Sequence, residues 1–517
     1  MPVPPPDSSA LLAVAEGYRL GHSTADAESF QPAVAGLLAS WDAVEALYSD
    51  LAPQAPERPW QRPDDAANPY GAWYVTTELT GAPEGSLAGR TIAIKDNITV
   101  AGLPMMNGSK TVEGFIPTRD ATVVTRALAA GATVSGKAVC EDLCFSGGSH
   151  TSRTGPVRNP WDQTRSTGGS SSGNAALVAA GLVDLAIGGD QGGSVRMPAA
   201  FSGIVGHKPT HGLVPYTGAF PIEQTIDHLG PMTRTVADAA LLLGVLAGRD
   251  GHDPRQPTQL DVPDYLAAIG ESAEGLRVGV VTEGFGHQNS EPGVDQTVRA
   301  AVDTLRGAGL TAEEVSIPWH LHGARIWDVI ATEGAAAQMV DANGYGMNWP
   351  GLYDPELIEH YGNQWRAAPH EFSQTVQLVL LAAGYARERG RNKYYAMARN
   401  LAPVLRAAYD EALARFDVLV LPTVPMTATV IPGPDAPREE VLARGLEMIA
   451  NTCPTDVTGH PACSVPAGLS GGLPVGMMIV GKMFDDATVL RVAHAYERAV
   501  DGFPAPPGVG ATAGQRV

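Results

Sequence analysis

The sequence predicts an α/β protein: a central mixed, largely parallel β-sheet covered by helices on both faces, preceded by a small α-helical N-terminal extension. Three observations predict it. Short apolar runs alternate with helix-period segments through most of the chain, the pattern of strands buried on both faces. Hydrophobic residues make up 44 % of the 517 residues and charged ones 17 %, enough apolar surface for a large core. A Pro-rich polar stretch, LAPQAPERPWQRPDDAANPYG at 51–71, separates an early helical segment from the alternating part.

The elements follow in chain order. Residues 1–6 are Pro-rich and expected to fray. From about 8 to 52 the pattern is helical. Leu11, Leu12, Ala15 and Tyr18 share a face, and so do Ala33, Leu37, Leu38, Trp41, Val44, Leu47 and Tyr48. Residues 1–74 therefore read as an extension of about two helices and 75–517 as the main domain. RTIAIKDNITV at 90–100 alternates like a strand. Residues 121–139 read as helix, Gly131, strand, and 175–190 as helix, Gly181, strand. Residues 236–248 form an amphipathic helix, 276–284 a strand, and 294–317 a helix, Gly309, strand. The segment 324–416 is mostly helical with a break near 343–352. FDVLVLPTVP at 416–425 and LPVGMMIVG at 473–481 are buried strands, and 485–500 is a closing helix. The tail from about 503 to 517 is expected to be disordered.

Charge and cysteine content narrow the function. A net charge of -20 without any basic stripe argues against nucleic acid and anionic membranes. Four cysteines form no disulfide framework, and Cys140 and Cys144 lack a histidine at zinc-finger spacing, so no metal is expected. There is no basic n-region and no run of 18 apolar residues, so the expected location is cytoplasmic. Only six lysines occur: Lys95, Lys110, Lys137, Lys208, Lys393 and Lys482.

Residues 168–210 carry the chemistry. Two Gly-rich turns, GGSSSG and GDQGGS, each present serines and are joined by a helix and a buried strand. Glycines at 168, 169, 192 and 193 permit close backbone approach to a ligand. Successive N–H groups of Gln191, Gly192, Gly193 and Ser194 are placed to converge on one oxygen as an oxyanion hole. A serine at the end of that nest carries its Oγ beside it. Upstream, Lys95 lies in an apolar strand pattern. Burial disfavours an ammonium, and a serine needs a base to become a nucleophile.

These blocks resemble the amidase signature family. The match consists of GGSSSG at 168–173, GGSVRMPA at 192–199, GHKPT at 206–210 and AIKDNI at 93–98. A fifth block, NTCPTDVTGHPACSVPAG followed by GLPVGMMIVG within 451–481, also fits. The resemblance spans roughly 75–500 and implies the amidase signature fold. It implies Ser194 as the acylated nucleophile, Ser170 as a bridging serine after a cis peptide bond, and Lys95 as the base. It implies no cofactor. Ser171, Asp190 and Arg196 are expected to support the loops by hydrogen bonds. Phe145, Trp327 and Ile449 occupy contexts that match an apolar acyl pocket.

The variant GGDQGGS, the helical extension and FPIEQTIDHLGPMTRT at 220–235 resemble bacterial enantioselective amidases of nitrile-degradation pathways. That implies hydrolysis of aliphatic or aromatic carboxamides to acid and ammonia or amine, and a homodimer formed with help from the extension. The alternatives are a relative acting on anilides, hydrazides or carbamates, and the glutamine-hydrolysing component of a tRNA amidotransferase. A Ser-His-Asp hydrolase with Ser171 in G-x-S-x-G, served by His150, His207, His211, His228 or His460, is weaker. The residues before that motif are polar rather than a buried strand. A non-catalytic binding protein is disfavoured because all three catalytic positions are filled.

Overall fold

The computed structural model describes residues 4–509. The expectations for residues 1–3 and for the end of the tail, 510–517, lie outside the described residues. The chain divides into two compact units, Met1–Pro56 and Glu57–Val517, within the Pro-rich stretch.

The first unit is a pair of helices. Ser8–Gly17 is capped by the Asp7 carboxylate, which accepts from the Ala10 N–H at 2.8 Å. Thr24–Ser49 opens with a capping box between Ser23 and Asp26. Its apolar stripe is exposed at Leu37, Trp41, Val44 and Leu47.

The second unit is built on an eleven-stranded sheet. The strands are β1 (Trp73–Thr80), β2 (Thr91–Lys95), β3 (Thr133–Ala138), β4 (Arg158–Asn159), β5 (Asp162–Ser166), β6 (Leu185–Asp190), β7 (Val205–Lys208), β8 (His228–Thr233), β9 (Arg277–Val281), β10 (Thr311–Val315), β11 (Val418–Pro422), β12 (Ala462–Ser470) and β13 (Leu473–Gly481). Their order is β1-β3-β2-β6-β8-β7-β12-β13-β11-β9-β10, while β4 and β5 form a separate hairpin.

Alternation along the strands covers both faces. Ile92 and Ile94 pack with Leu185 and Ile187 against the helices Thr122–Ala129 and Val236–Leu246. Ala93 and Ala186 point the other way, toward the helix Ser172–Ala179. At the far side Val418 and Val420 join the first cluster, whereas Leu419 and Leu421 join a second one built on His320–Ala335 and Lys393–Arg415. The expected helical segment is present, with its break between Asp341 and Pro355.

The sheet is mixed, but it is not largely parallel. Only β2–β3, β2–β6, β9–β11 and β9–β10 run parallel. The pairs β1–β3, β6–β8, β7–β8, β7–β12, β12–β13 and β11–β13 are antiparallel. All but the last of these involve β1, β7, β8 or β12, strands that the apolar-run pattern does not reveal. Their sequences, such as VGHK, HLGPMT and ACSVPAGLS, are interrupted by Gly, Pro and polar residues. Burial on both faces fixes them nonetheless: β7 and β8 are buried at every position.

A buried ion pair anchors the central strands. Lys137 Nζ donates to Asp96 Oδ1 at 2.8 Å, with both side chains almost fully buried. Asp96 Oδ2 accepts from the Met106 and Asn107 N–H groups. Removing one partner of such a pair leaves a buried charge uncompensated. Lys137→Met is expected to cost about 3–5 kcal/mol, read as a lowered midpoint in chemical denaturation. An unchanged midpoint would show that the pair does not hold β3 to the turn after β2.

Candidate active site

Two adjacent parallel strands deliver the site. β2 ends at Lys95, and β6 runs beside it to Asp190. Lys95 Nζ donates to Ser170 Oγ at 2.8 Å and to the Gly189 carbonyl at 3.0 Å. Lys95 and Ser170 are both fully buried. The Gly169–Ser170 peptide bond is cis. Ser171 follows at the head of the helix Ser172–Ala179. Its Oγ donates to the Gly189 carbonyl at 3.2 Å, and its N–H donates to the Ser194 carbonyl at 3.2 Å. Ser171 thus ties the first serine turn to the second.

The three buried lysines differ in their partners. Lys137 meets the Asp96 carboxylate. Lys208 donates to the His460 carbonyl at 2.7 Å and the Pro209 carbonyl at 3.2 Å. Lys95 alone of the three reaches a side-chain hydroxyl.

The second turn is shaped by Asp190. Its carboxylate accepts from the Gly193 N–H at 2.7 Å, the Val195 N–H at 3.0 Å and the Arg196 guanidinium at 2.9 and 3.0 Å. Arg196 also donates to the Thr452 carbonyl at 2.9 Å, Thr455 Oγ1 at 2.6 Å and Asp456 Oδ2 at 2.7 Å. Burial by itself would raise the Asp190 carboxyl; the charge and hydrogen bonds of Arg196 outweigh it and hold Asp190 well below the usual carboxylate range. Burial and the nearby Asp190 charge push Asp456 the other way, well above that range.

This arrangement corrects one expectation. The N–H of Gly193 is taken by Asp190 and is not free to bind an oxyanion. A short acidic side chain at the end of β6 folds back on the turn it starts, as Asp commonly does. The N–H groups of Gln191, Gly192 and Ser194 have no protein acceptor among the described residues. The glycines here are required by space. A Cβ on Gly193 would lie 2.3 Å from Thr452 Oγ1, at a φ of +130°, and one on Gly192 would lie 2.7 Å from the Trp327 ring. Two contacts beyond the sequence reading brace the turn. Trp327 Nε1 donates to the Gln191 carbonyl, and Thr452 Oγ1 donates to the Gly192 carbonyl, each at 2.6 Å. Thr452 lies in the NTCPTD block, but nothing in its sequence context marks it for this contact.

A cavity of about 400 Å³, counting its open mouth, lies over the nest. Ser194, Gln191, Gly192, Phe145, Trp327 and Ile449 all line it, together with Met197, Ile222 and Ile226. The Phe145 and Trp327 rings stack with centroids 6.4 Å apart. Lys95 and Ser170 lie behind the wall. Ser194 Oγ hydrogen-bonds no protein group among the described residues. Cys144, unmarked by any sequence signal, also lines the cavity; its thiol and that of Cys140 both donate to Asn107 Oδ1.

The histidines do not assemble a Ser-His-Asp site. His207 faces Asp486, and His460 faces Asp410 and Thr458. His150 and His211 bond backbone carbonyls, and His228 bonds the Ile226 carbonyl with Asp456 3.5 Å away; among the described residues no serine hydroxyl is paired with any of the five. The strand preceding the G-x-S-x-G match is β5, a partly exposed hairpin strand rather than a buried member of the large sheet.

Comparison with known proteins agrees with this geometry. The pattern of the Amidase family matches residues 70–490. An enantioselective amidase of Rhodococcus rhodochrous is 57 % identical over 512 residues, 98 % of each chain. A glutamyl-tRNA(Gln) amidotransferase chain of Methanosarcina mazei is 38 % identical over 81 % of this chain and 86 % of its own. Among solved structures, the glutamyl-tRNA(Gln) amidotransferase chain from Thermotoga maritima superposes with a TM-score of 0.70 at 32 % identity, covering 83 % of this chain and 88 % of that one. The peptide amidase of Stenotrophomonas maltophilia gives 0.67 at 32 % identity, covering 82 % and 85 %. With a family match over most of its length and a relative 57 % identical nearly end to end, the chain belongs to the Amidase family and is a carbon–nitrogen hydrolase acting on amides.

Proposed function

We propose that the chain hydrolyses apolar aliphatic or aromatic carboxamides to carboxylic acid and ammonia through an acyl-enzyme on Ser194. The observation that carries this reading is the hydrogen bond from Lys95 to Ser170, in a serine turn that the Ser171 N–H ties to Ser194, a residue that lines the cavity. Lys95, as the base, draws a proton through Ser170 as Ser194 attacks the carbonyl carbon. The Gln191, Gly192 and Ser194 N–H groups hold the oxyanion; losing one such donor typically costs about 10²–10³ in rate. Ser170 then returns a proton to the departing nitrogen, and water hydrolyses the ester. Asp190, Arg196 and Ser171 hold the turn in shape.

Phe145, Trp327 and Ile449 would receive the acyl group. An apolar wall favours a neutral acyl chain over a charged one, because a charge buried there lacks a partner. This favours a free-standing carboxamide hydrolase over the glutamine-hydrolysing alternative, as does the near end-to-end similarity to the Rhodococcus enantioselective amidase. Anilide, hydrazide and carbamate bonds remain within reach of the same chemistry.

We further infer a homodimer and a cytoplasmic location. The exposed stripe Leu37, Trp41, Val44 and Leu47 supports the first. Four free, buried cysteines support the second. Among the described residues no helix is long and apolar enough to cross a membrane.

Three outcomes test this reading. Ser194→Ala should lower amidase kcat by at least about 10⁴-fold with the fold intact by circular dichroism; turnover near the parent level would remove Ser194 as nucleophile. Benzamide should exceed glutamine in kcat/KM by at least about 100-fold, since each misplaced charge or lost contact is worth a factor of ten or more. Efficient glutamine hydrolysis would reverse the substrate assignment. Leu37→Glu with Val44→Glu should halve the mass measured by light scattering in solution; an unchanged dimer mass would place the interface elsewhere.

A further inference from the structure

The Gln191 side chain, unlike its backbone, has no part in the chemistry described so far. It is 4 % exposed, and the residue lines the cavity. Nε2 donates to Tyr216 Oη at 2.9 Å. Tyr216 Oη in turn donates to the Phe220 carbonyl at 3.3 Å. A carbonyl can only accept, so the tyrosine proton is committed to Phe220, and Tyr216 must accept from the Gln191 NH₂. The direction of this relay fixes the amide orientation. Among the described residues it leaves Gln191 Oε1 as a buried acceptor without a partner. Such a group is costly unless something bonds it.

The same neighbourhood holds the proton-transfer groups. Asn97 Nδ2 reaches Tyr216 Oη at 3.5 Å and lies two residues beyond Lys95. The Gln191 and Asn97 side-chain amides therefore share the Tyr216 hydroxyl, and the Gln191 residue lines the cavity.

We propose that Gln191 Oε1 accepts a hydrogen bond from the N–H of the scissile amide, making it a specificity-determining residue for substrates that carry an N–H. Holding one N–H fixes the rotation of the nitrogen as it becomes tetrahedral. Its lone pair is then free to face the Ser170 hydroxyl. An ester has no N–H and leaves Oε1 unpaired, so the site discriminates against it. The inference rests on the acyl-enzyme reading proposed for Ser194.

The test is the ratio of kcat/KM for benzamide to that for p-nitrophenyl benzoate, which share an acyl group. Gln191→Met keeps the backbone N–H and the side-chain length but removes the acceptor. It should lower this ratio by about 10–100-fold. Tyr216→Phe frees the Gln191 amide to rotate and should lower the ratio less, in the same direction. Equal losses on both substrates, or an unchanged ratio, would overturn the role of Oε1 while leaving the nucleophile assignment intact. If Ser194→Ala retained both reactions, the acyl-enzyme reading and this inference would fall together.

Discussion

The site depends on one buried ion cluster. Asp190 ends β6 and grips the turn it begins, through the Gly193 and Val195 N–H groups. Arg196 closes the same turn on the carboxylate and reaches Thr452, Thr455 and Asp456, more than 250 residues later in the chain. Every member is fully buried, so the cluster must be almost completely paired to be tolerated. That requirement gives the turn a single shape. Among the described residues the N–H groups of Gln191, Gly192 and Ser194 meet no acceptor, whereas Asp190 holds that of Gly193. The short helix Cys453–Thr458, with Thr452 at its head, is locked against the turn, and Thr452 itself braces the Gly192 carbonyl.

The lysines show how burial can be put to different uses. Lys137 is held by a carboxylate and joins β3 to the turn after β2. Lys208 is spent on backbone carbonyls beside β12. Lys95 sits at the end of β2, where the parallel neighbour β6 brings the Gly189 carbonyl within reach, and its other contact is the Ser170 hydroxyl. Strand register is therefore part of the catalytic proposal. A one-residue slip of β2 would turn Lys95 to the opposite face.

Much of this was legible in the sequence, for definable reasons. Long amphipathic helices and apolar strands such as Val418–Pro422 announce themselves by period. Strands β7, β8 and β12 do not, because Gly, Pro and His interrupt them, and their antiparallel pairing was lost with them. The positions of Lys95, Ser170 and Ser194 were visible as motifs. Phe145, Trp327 and Ile449 were visible only as contexts, yet they meet in one cavity. The capture of the Gly193 N–H by Asp190 depends on the conformation of one turn, and the Tyr216–Gln191 contact joins residues 25 positions apart. Neither has a sequence signature.

The central claim is a covalent acyl group on Ser194. Arg165 and Arg196 bound a single tryptic peptide that carries Ser170, Ser171, Ser172 and Ser194 together. Rapid quenching with a slowly turned-over aromatic amide, followed by digestion and fragmentation mass spectrometry, locates the adduct within it. The account predicts the mass of one acyl group on Ser194. An adduct on Ser170 or Ser171, or turnover with no adduct on this peptide, would contradict it.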